Sequence, residues 1–115
     1  MSLARLRSRA PSGLDAPPVW VEIHLSGGLP SFTIVGLPEA AVRESRERVR
    51  SALINSGFDF PARRITVNLA PADIPKHGGR FDLPIALGIL AASGQIKPAL
   101  TDLPGEYLGE LGLGG

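Results

Sequence analysis

Arg64-Ile65-Thr66-Val67-Asn68-Leu69-Ala70-Pro71-Ala72-Asp73-Ile74-Pro75-Lys76-His77-Gly78-Gly79-Arg80-Phe81-Asp82-Leu83-Pro84-Ile85-Ala86 places a strand, a loop and a helix in immediate succession. Ile65, Val67 and Leu69 recur at every second residue, the period of a strand with one buried face, so 64–69 is predicted as a strand. Pro71, Pro75 and Gly78-Gly79 then interrupt regular structure from Ala70 to Arg80. Asp82 has the side chain of a helix N-cap, and Pro84 is tolerated in a first turn. Ile85, Leu87, Ile89 and Leu90 make the next helix apolar on nearly every side. It is expected to be the most buried element and to end at Gly94.

Working outward, Pro38 is read as opening an earlier helix at its first turn, with Glu39 near the positive end. Ala41, Val42, Ser45, Val49, Ala52 and Leu53 fall at three- and four-residue steps, and Gly57 supplies the left-handed residue that ends the helix. Period-two alternation predicts strands over 4–9, 19–25 and 31–35. Pro11-Ser12-Gly13 and Ala16-Pro17-Pro18 separate the first two, and Ser26-Gly27-Gly28 reads as a hairpin turn before the third. After a loop over 95–105 that contains Pro98, a last strand is expected from Tyr107 to Leu111. The order is β-β-β-α-β-α-β. Short turns predict an antiparallel meander for the first three strands, and the helical crossover predicts that the fourth pairs parallel with its neighbour. The fold class is α/β (α+β): two layers, a mixed sheet with helices on one face.

A chain of 115 residues is expected to be one small domain, 1–115, cut before its last elements. Cysteine is absent, which removes disulfides, thiolate metal sites and cysteine nucleophiles together. The 14 Gly and 11 Pro fit many short elements. No apolar run is long enough to cross a membrane and no apolar segment follows the N-terminal arginines, so a cytoplasmic protein with no membrane partner is expected. The net charge of +1 is unevenly spread: all 12 Lys and Arg lie at or before Lys97, while Asp102, Glu106 and Glu110 close the chain. The arginine run Arg43/Arg46/Arg48/Arg50 shares its helix with Glu39, Glu44 and Glu47, the pattern of a solvated face.

No G-x-x-x-x-G-K-[ST] motif occurs, and His24 and His77 each lack a second histidine at ligand spacing, so no catalytic residue, metal or cofactor is expected in this chain. Pro75 to Asp82 is the best candidate site. Gly78 and Gly79 free the backbone to turn N–H groups toward an anion at a helix start, and Lys76 and Arg80 add charge. The competing reading is a tight entry turn, with Asp82 as cap and Arg80 paired to Asp82 or Asp73. Arg46 and Arg50 join the candidate contacts to anion, DNA or partner, while Pro38, Gly57, Asp82 and Pro84 are assigned structural roles. Trp20 alone stands on the polar side of its strand as a stacking platform. The terminal Gly109 to Gly115 run lacks a following helix, which excludes a dinucleotide fingerprint.

Val35-Gly36-Leu37-Pro38, Arg46-Glu47-Arg48-Val49-Arg50-Ser51-Ala52, Asn55-Ser56-Gly57, the 65–86 block and Gly109-Glu110-Leu111 together resemble the ComM/YifB family of Mg-chelatase subunit ChlI-like proteins. The resemblance implies an N-terminal domain ahead of an AAA+ ATPase module that lies beyond residue 115 and takes ATP and Mg. It implies a fold similar to the Lon protease catalytic domain, the RadA C-terminal domain and the ribosomal-protein second-domain-like superfamily, with a left-handed βαβ crossover. For the whole protein it implies a homo-hexameric helicase that drives branch migration in natural transformation. The partners are then its own AAA+ module, other subunits and DNA. The uneven charge offers an alternative to DNA engagement, in which the acidic 99–115 end meets a basic surface on the next subunit. Lon-type domains carry a nucleophilic serine after a Pro-Lys-x-Gly loop. Pro75-Lys76-His77-Gly78 matches that loop, but Arg80 fills the serine position. A guanidinium is no nucleophile, so a non-catalytic domain is implied. The alternatives are a magnesium-chelatase-like component and a divergent peptidase using Ser45, Ser51, Ser56 or Ser93.

Overall fold

The computed structural model describes residues 2–10, 16–96 and 102–115, with 102–104 described by backbone only. The break at Pro11-Ser12-Gly13 and the centre of the loop at Pro98 lie outside the described residues. The elements are β1 (Ser2–Arg9), β2 (Pro18–Ser26), β3 (Ser31–Val35), α1 (Ala40–Arg43), α2 (Ser45–Asn55), β4 (Arg64–Ala70), α3 (Asp82–Ala92) and β5 (Asp102–Glu106). The strands form one mixed sheet in the order β3-β4-β2-β1-β5.

The predicted alternation places the core. Ala4, Leu6 and Ser8 of β1, Val19, Val21, Ile23 and Leu25 of β2, and Ile65, Val67 and Leu69 of β4 are all buried on the side covered by helices. The opposite face carries Arg5, Arg7, Trp20, Glu22 and Asn68. There Asn68 donates to Glu22 at 2.9 Å, and the Arg5 guanidinium sits 3.8 Å from the Trp20 ring centre, with Arg7 at 5.3 Å. The Trp20 platform is therefore already stacked with the chain's own cations.

The meander expectation is corrected. β1 and β2 pair antiparallel as predicted, but β2 and β3 do not pair, because β4 lies between them, antiparallel to β2 and parallel to β3. Ser26-Gly27-Gly28 is therefore a bend toward the sheet edge and not a hairpin turn. The physical reason is burial. β4 hides three branched residues completely and needs neighbours on both sides, whereas β3 buries one residue, Ile34, and suits an edge. The parallel β3–β4 pair joined through a helix is as predicted.

The last strand is also corrected. It spans Asp102–Glu106, parallel to β1 with an irregular register. As an edge it tolerates Pro104 and Gly105. Residues 107–111 instead cross the start of α3. The Tyr107 N–H donates to Arg7 C=O at 2.8 Å, Gly109 N–H to Arg80 C=O at 2.8 Å, and Leu83 N–H to Gly109 C=O at 3.0 Å.

Pro38 does not open the helix. It forms an isolated parallel bridge with Lys76, and α1 starts two residues later. The helix then tightens at Glu44, where Glu47 N–H bonds Glu44 C=O at 3.1 Å. At this junction Arg48 Nη2 donates to Ala41 C=O at 3.0 Å. Val42, Ser45, Val49, Ala52 and Leu53 form the buried stripe, with Ala41 half-buried. Gly57 ends α2 at φ 88°. Phe58 N–H bonds Leu53 C=O and Gly57 N–H bonds Ile54 C=O, the paired bonds of a Schellman cap.

α3 is the central buried helix, with Pro84, Ile85, Ala86, Gly88, Ile89, Leu90 and Ala91 all inside. Leu87, read as core, is only half-buried. A Cβ at Gly88 would stand 2.3 Å from Ile23 Cγ1 and 3.0 Å from Leu6 Cδ1, so glycine lets α3 press directly onto β1 and β2.

Candidate partner-binding groove

The 70–82 loop is built around Lys76. Gly36 sits at φ 106°, and a Cβ there would fall 2.1 Å from Leu69 O, so only glycine lets the exit of β3 lie against the exit of β4. The two exits then pair: Glu39 N–H donates to Lys76 C=O at 3.0 Å and Lys76 N–H to Leu37 C=O at 3.2 Å. The Lys76 side chain is completely buried. Its Nζ donates to Gly36 C=O at 2.6 Å and also to Pro71 C=O. Burial pushes the Lys76 pKa below its ordinary value, against an opposing pull from Asp73. Lys76 thus ties two loops together from inside and is out of reach of an external anion.

The remainder of that sequence motif is covered by the chain's own end. A Cβ at Gly79 would lie 2.7 Å from Glu110 Cδ, so the Glu110 carboxyl rests on the proposed cradle. Gly78 turns with φ 73° in open space, and His77 pairs with Glu39 at 2.7 Å. Arg80 is half-buried; its Nε is buried and has no hydrogen-bond partner. Asp82 is corrected from N-cap to first-turn residue, the cap position being Phe81. Asp82 is fully buried and takes Arg48 on both oxygens, Nε at 2.6 Å and Nη2 at 3.1 Å. It also accepts Leu111 N–H at 3.1 Å. The Asp82 hydrogen bond raises the Arg48 pKa above its ordinary value despite partial burial. Arg80 has no bond to Asp82 or Asp73 among the described residues.

The acidic end is folded inward as well. Glu106 binds Arg9 through Nε at 3.0 Å and Nη2 at 2.7 Å. That hydrogen bond holds its carboxyl below the usual range. Glu106 thus pairs with a basic group of its own chain, and Glu110 rests on Gly79.

Arg46 and Arg50 lie elsewhere. They line an open groove of about 780 Å³ between α2 and the edge strand β3, closed at one end by the 58–63 loop. Arg63, Phe58 and Phe60 complete its character. Phe32 and Phe60 meet at 5.6 Å, and the Arg50 guanidinium lies 5.8 Å from the Phe60 ring centre. Arg46 donates to Arg43 C=O at 3.1 Å and, across the groove, to Phe32 C=O at 3.4 Å. Gln95 clamps the loop on Asp59, Oε1 accepting its N–H at 2.9 Å and Nε2 donating to its C=O at 2.8 Å. Glu47 and Asp59 also reach the lining, yet among the described residues no carboxylate pairs with Arg46, Arg50 or Arg63. Arg63, Phe58, Phe60 and Gln95 escaped the sequence reading. The one available signal was two phenylalanines in a turn-rich connection, where polar residues are the rule. Among the described residues no three His, Asp or Glu side chains gather to hold a metal ion, and no helix is long and apolar enough to cross a membrane.

The geometry defines a small mixed α/β domain with an arginine- and aromatic-lined groove. The family model for subunit ChlI of Mg-chelatase matches residues 21–115, and the chain belongs to that family. Competence protein ComM of Haemophilus influenzae is 60% identical over 116 residues, covering 100% of this chain and 22% of that protein. YifB of Escherichia coli is 57% identical over 115 residues with the same coverage. A Mycobacterium tuberculosis protein is 44% identical over 115 residues, covering 100% of this chain and 23% of its own length. The ComM/YifB resemblance read from the 65–86 block is thereby shown. The chain spans about a fifth of the length of these relatives.

Proposed function

We propose that this chain is the non-catalytic N-terminal domain of a ComM-like AAA+ ATPase and that it serves ring assembly, docking a partner polypeptide in the α2–β3 groove. On this reading the whole protein is an ATP- and Mg-dependent hexameric helicase acting in branch migration during natural transformation. The likeness to ComM supports the family part of the reading. One observation carries the docking part: among the described residues Arg46, Arg50 and Arg63 stand without carboxylate partners beside an open strand edge. Docking is favoured over DNA engagement because three of the other basic groups are engaged within the chain. Lys76 is buried, and Arg9 and Arg48 are paired to acids of their own chain. Arg46, Arg50 and Arg63 are gathered about one groove, not spread in a stripe that tracks a phosphate backbone.

The test is charge reversal, Arg46→Glu with Arg50→Glu, in the full-length ATPase. Sedimentation with a non-hydrolysable ATP analogue reads assembly. Fluorescence anisotropy with branched DNA at low and high salt reads DNA engagement by this chain alone. The account expects the ring population to fall and the chain alone to bind DNA weakly, with no effect of the reversal. An intact ring together with lost, steeply salt-dependent DNA binding overturns it in favour of DNA engagement.

A further inference from the structure

We propose that the outer edge of β3 accepts an extended acidic segment of a partner polypeptide as a sixth strand; this deepens the docking reading and rests on it. Among the described residues β3 is an edge strand whose one neighbour in the sheet is β4. Ser31 N–H turns inward to Arg63 C=O at 3.3 Å. Backbone groups alternate along a strand, so Ser31, Thr33 and Val35 face β4 while Phe32 and Ile34 present N–H and C=O outward. The Arg46 contact at 3.4 Å to Phe32 C=O confirms that direction and is long enough to yield to an incoming strand. Apart from this one long contact the edge is lightly guarded: β3 holds no lysine, no proline and no bulge, and its open-face residue Val35 and the following Leu37 are 41% and 53% exposed.

Charge selects the occupant. An added strand puts alternate side chains over the groove, against Arg46, Arg50 and Arg63, and the others beside Val35 on the open face. Acidic residues at one set of positions and apolar ones at the other therefore fit. That segment comes from outside this chain, because Glu106 and Glu110 are already folded onto Arg9 and Gly79.

The probe is a fluorescein-labelled ten-residue peptide alternating Glu and Val, titrated with this chain by anisotropy. Saturable binding is expected. Arg46→Glu with Arg50→Glu weakens it at least tenfold, and methylating alternate backbone nitrogens of the peptide abolishes it. Oligo-dT of equal charge should not displace the peptide. No binding overturns the proposal. So does equal binding of the methylated peptide, displacement by oligo-dT, or sedimentation showing that the edge is taken by a second copy. Lost ring assembly in the charge-reversed ATPase without peptide binding sinks the added strand and leaves the docking reading standing. Peptide binding with an intact ring sinks the docking reading instead.

Discussion

Replacing Lys76 by alanine should destabilise the fold and leave groove binding by the folded fraction unchanged. The side chain is fully buried, and its ammonium serves the carbonyls of Gly36 and Pro71. Leaving a buried carbonyl without a partner costs about 1–3 kcal/mol. Removing a long buried stem adds a cavity cost of about 2–5 kcal/mol when the site does not collapse. Water entering the vacated space repays part of this, so a loss of about 3–6 kcal/mol is expected. A chain of this size has roughly 6–17 kcal/mol of stability in total, so the effect is large. Urea unfolding reads it: with m of about 1–3 kcal/mol/M, the midpoint should fall by about 1 M or more. Lys76→Met keeps most of the stem and should lose less. A midpoint within about 0.3 M of wild type for Lys76→Ala refutes the reasoning, because it means the ammonium anchors nothing. The pH dependence gives a second handle. The folded pKa of Lys76 is lowered, so the unfolded chain binds more protons between the folded pKa and the ordinary lysine value. Stability from this group therefore rises as pH climbs through that window. The wild-type minus Lys76→Met difference should show that rise.

Two further predictions concern the core. Asp82→Ala strands the half-buried Arg48 and frees Leu111 N–H, so a loss of about 3–5 kcal/mol is expected in urea unfolding, while Asp82→Leu combined with Arg48→Met should recover much of it. Ile89→Ala should cost about 2–5 kcal/mol by the same assay, and Leu87→Ala, half-exposed, clearly less; equal costs would contradict the observed orientation of α3.

The strands were legible because burial follows a two-residue period: Val19 to Leu25 and Ile65 to Leu69 point inward as their spacing says. Gly57 was legible because a left-handed helix end favours glycine. Strand order was not, since local alternation does not reveal that β4 inserts between β2 and β3. Lys76 misled for a related reason. A lysine beside Gly-Gly reads as an anion contact, and only the approach of Gly36 to Leu69 turns it inward. Arg46 and Arg50 were visible as residues, but their groove needs Phe58, Phe60 and Arg63 from a connection that carries no motif.

The central claim is that the edge of β3 and the face of α2 are covered in the proposed ring. Hydrogen exchange on the full-length protein, with and without a non-hydrolysable ATP analogue, tests it most directly. The amides of Phe32 and Ile34 and the surface of α2 around Arg46 and Arg50 should gain protection in the ring. Unchanged exchange at Phe32 and Ile34 in a fully assembled ring would contradict the account.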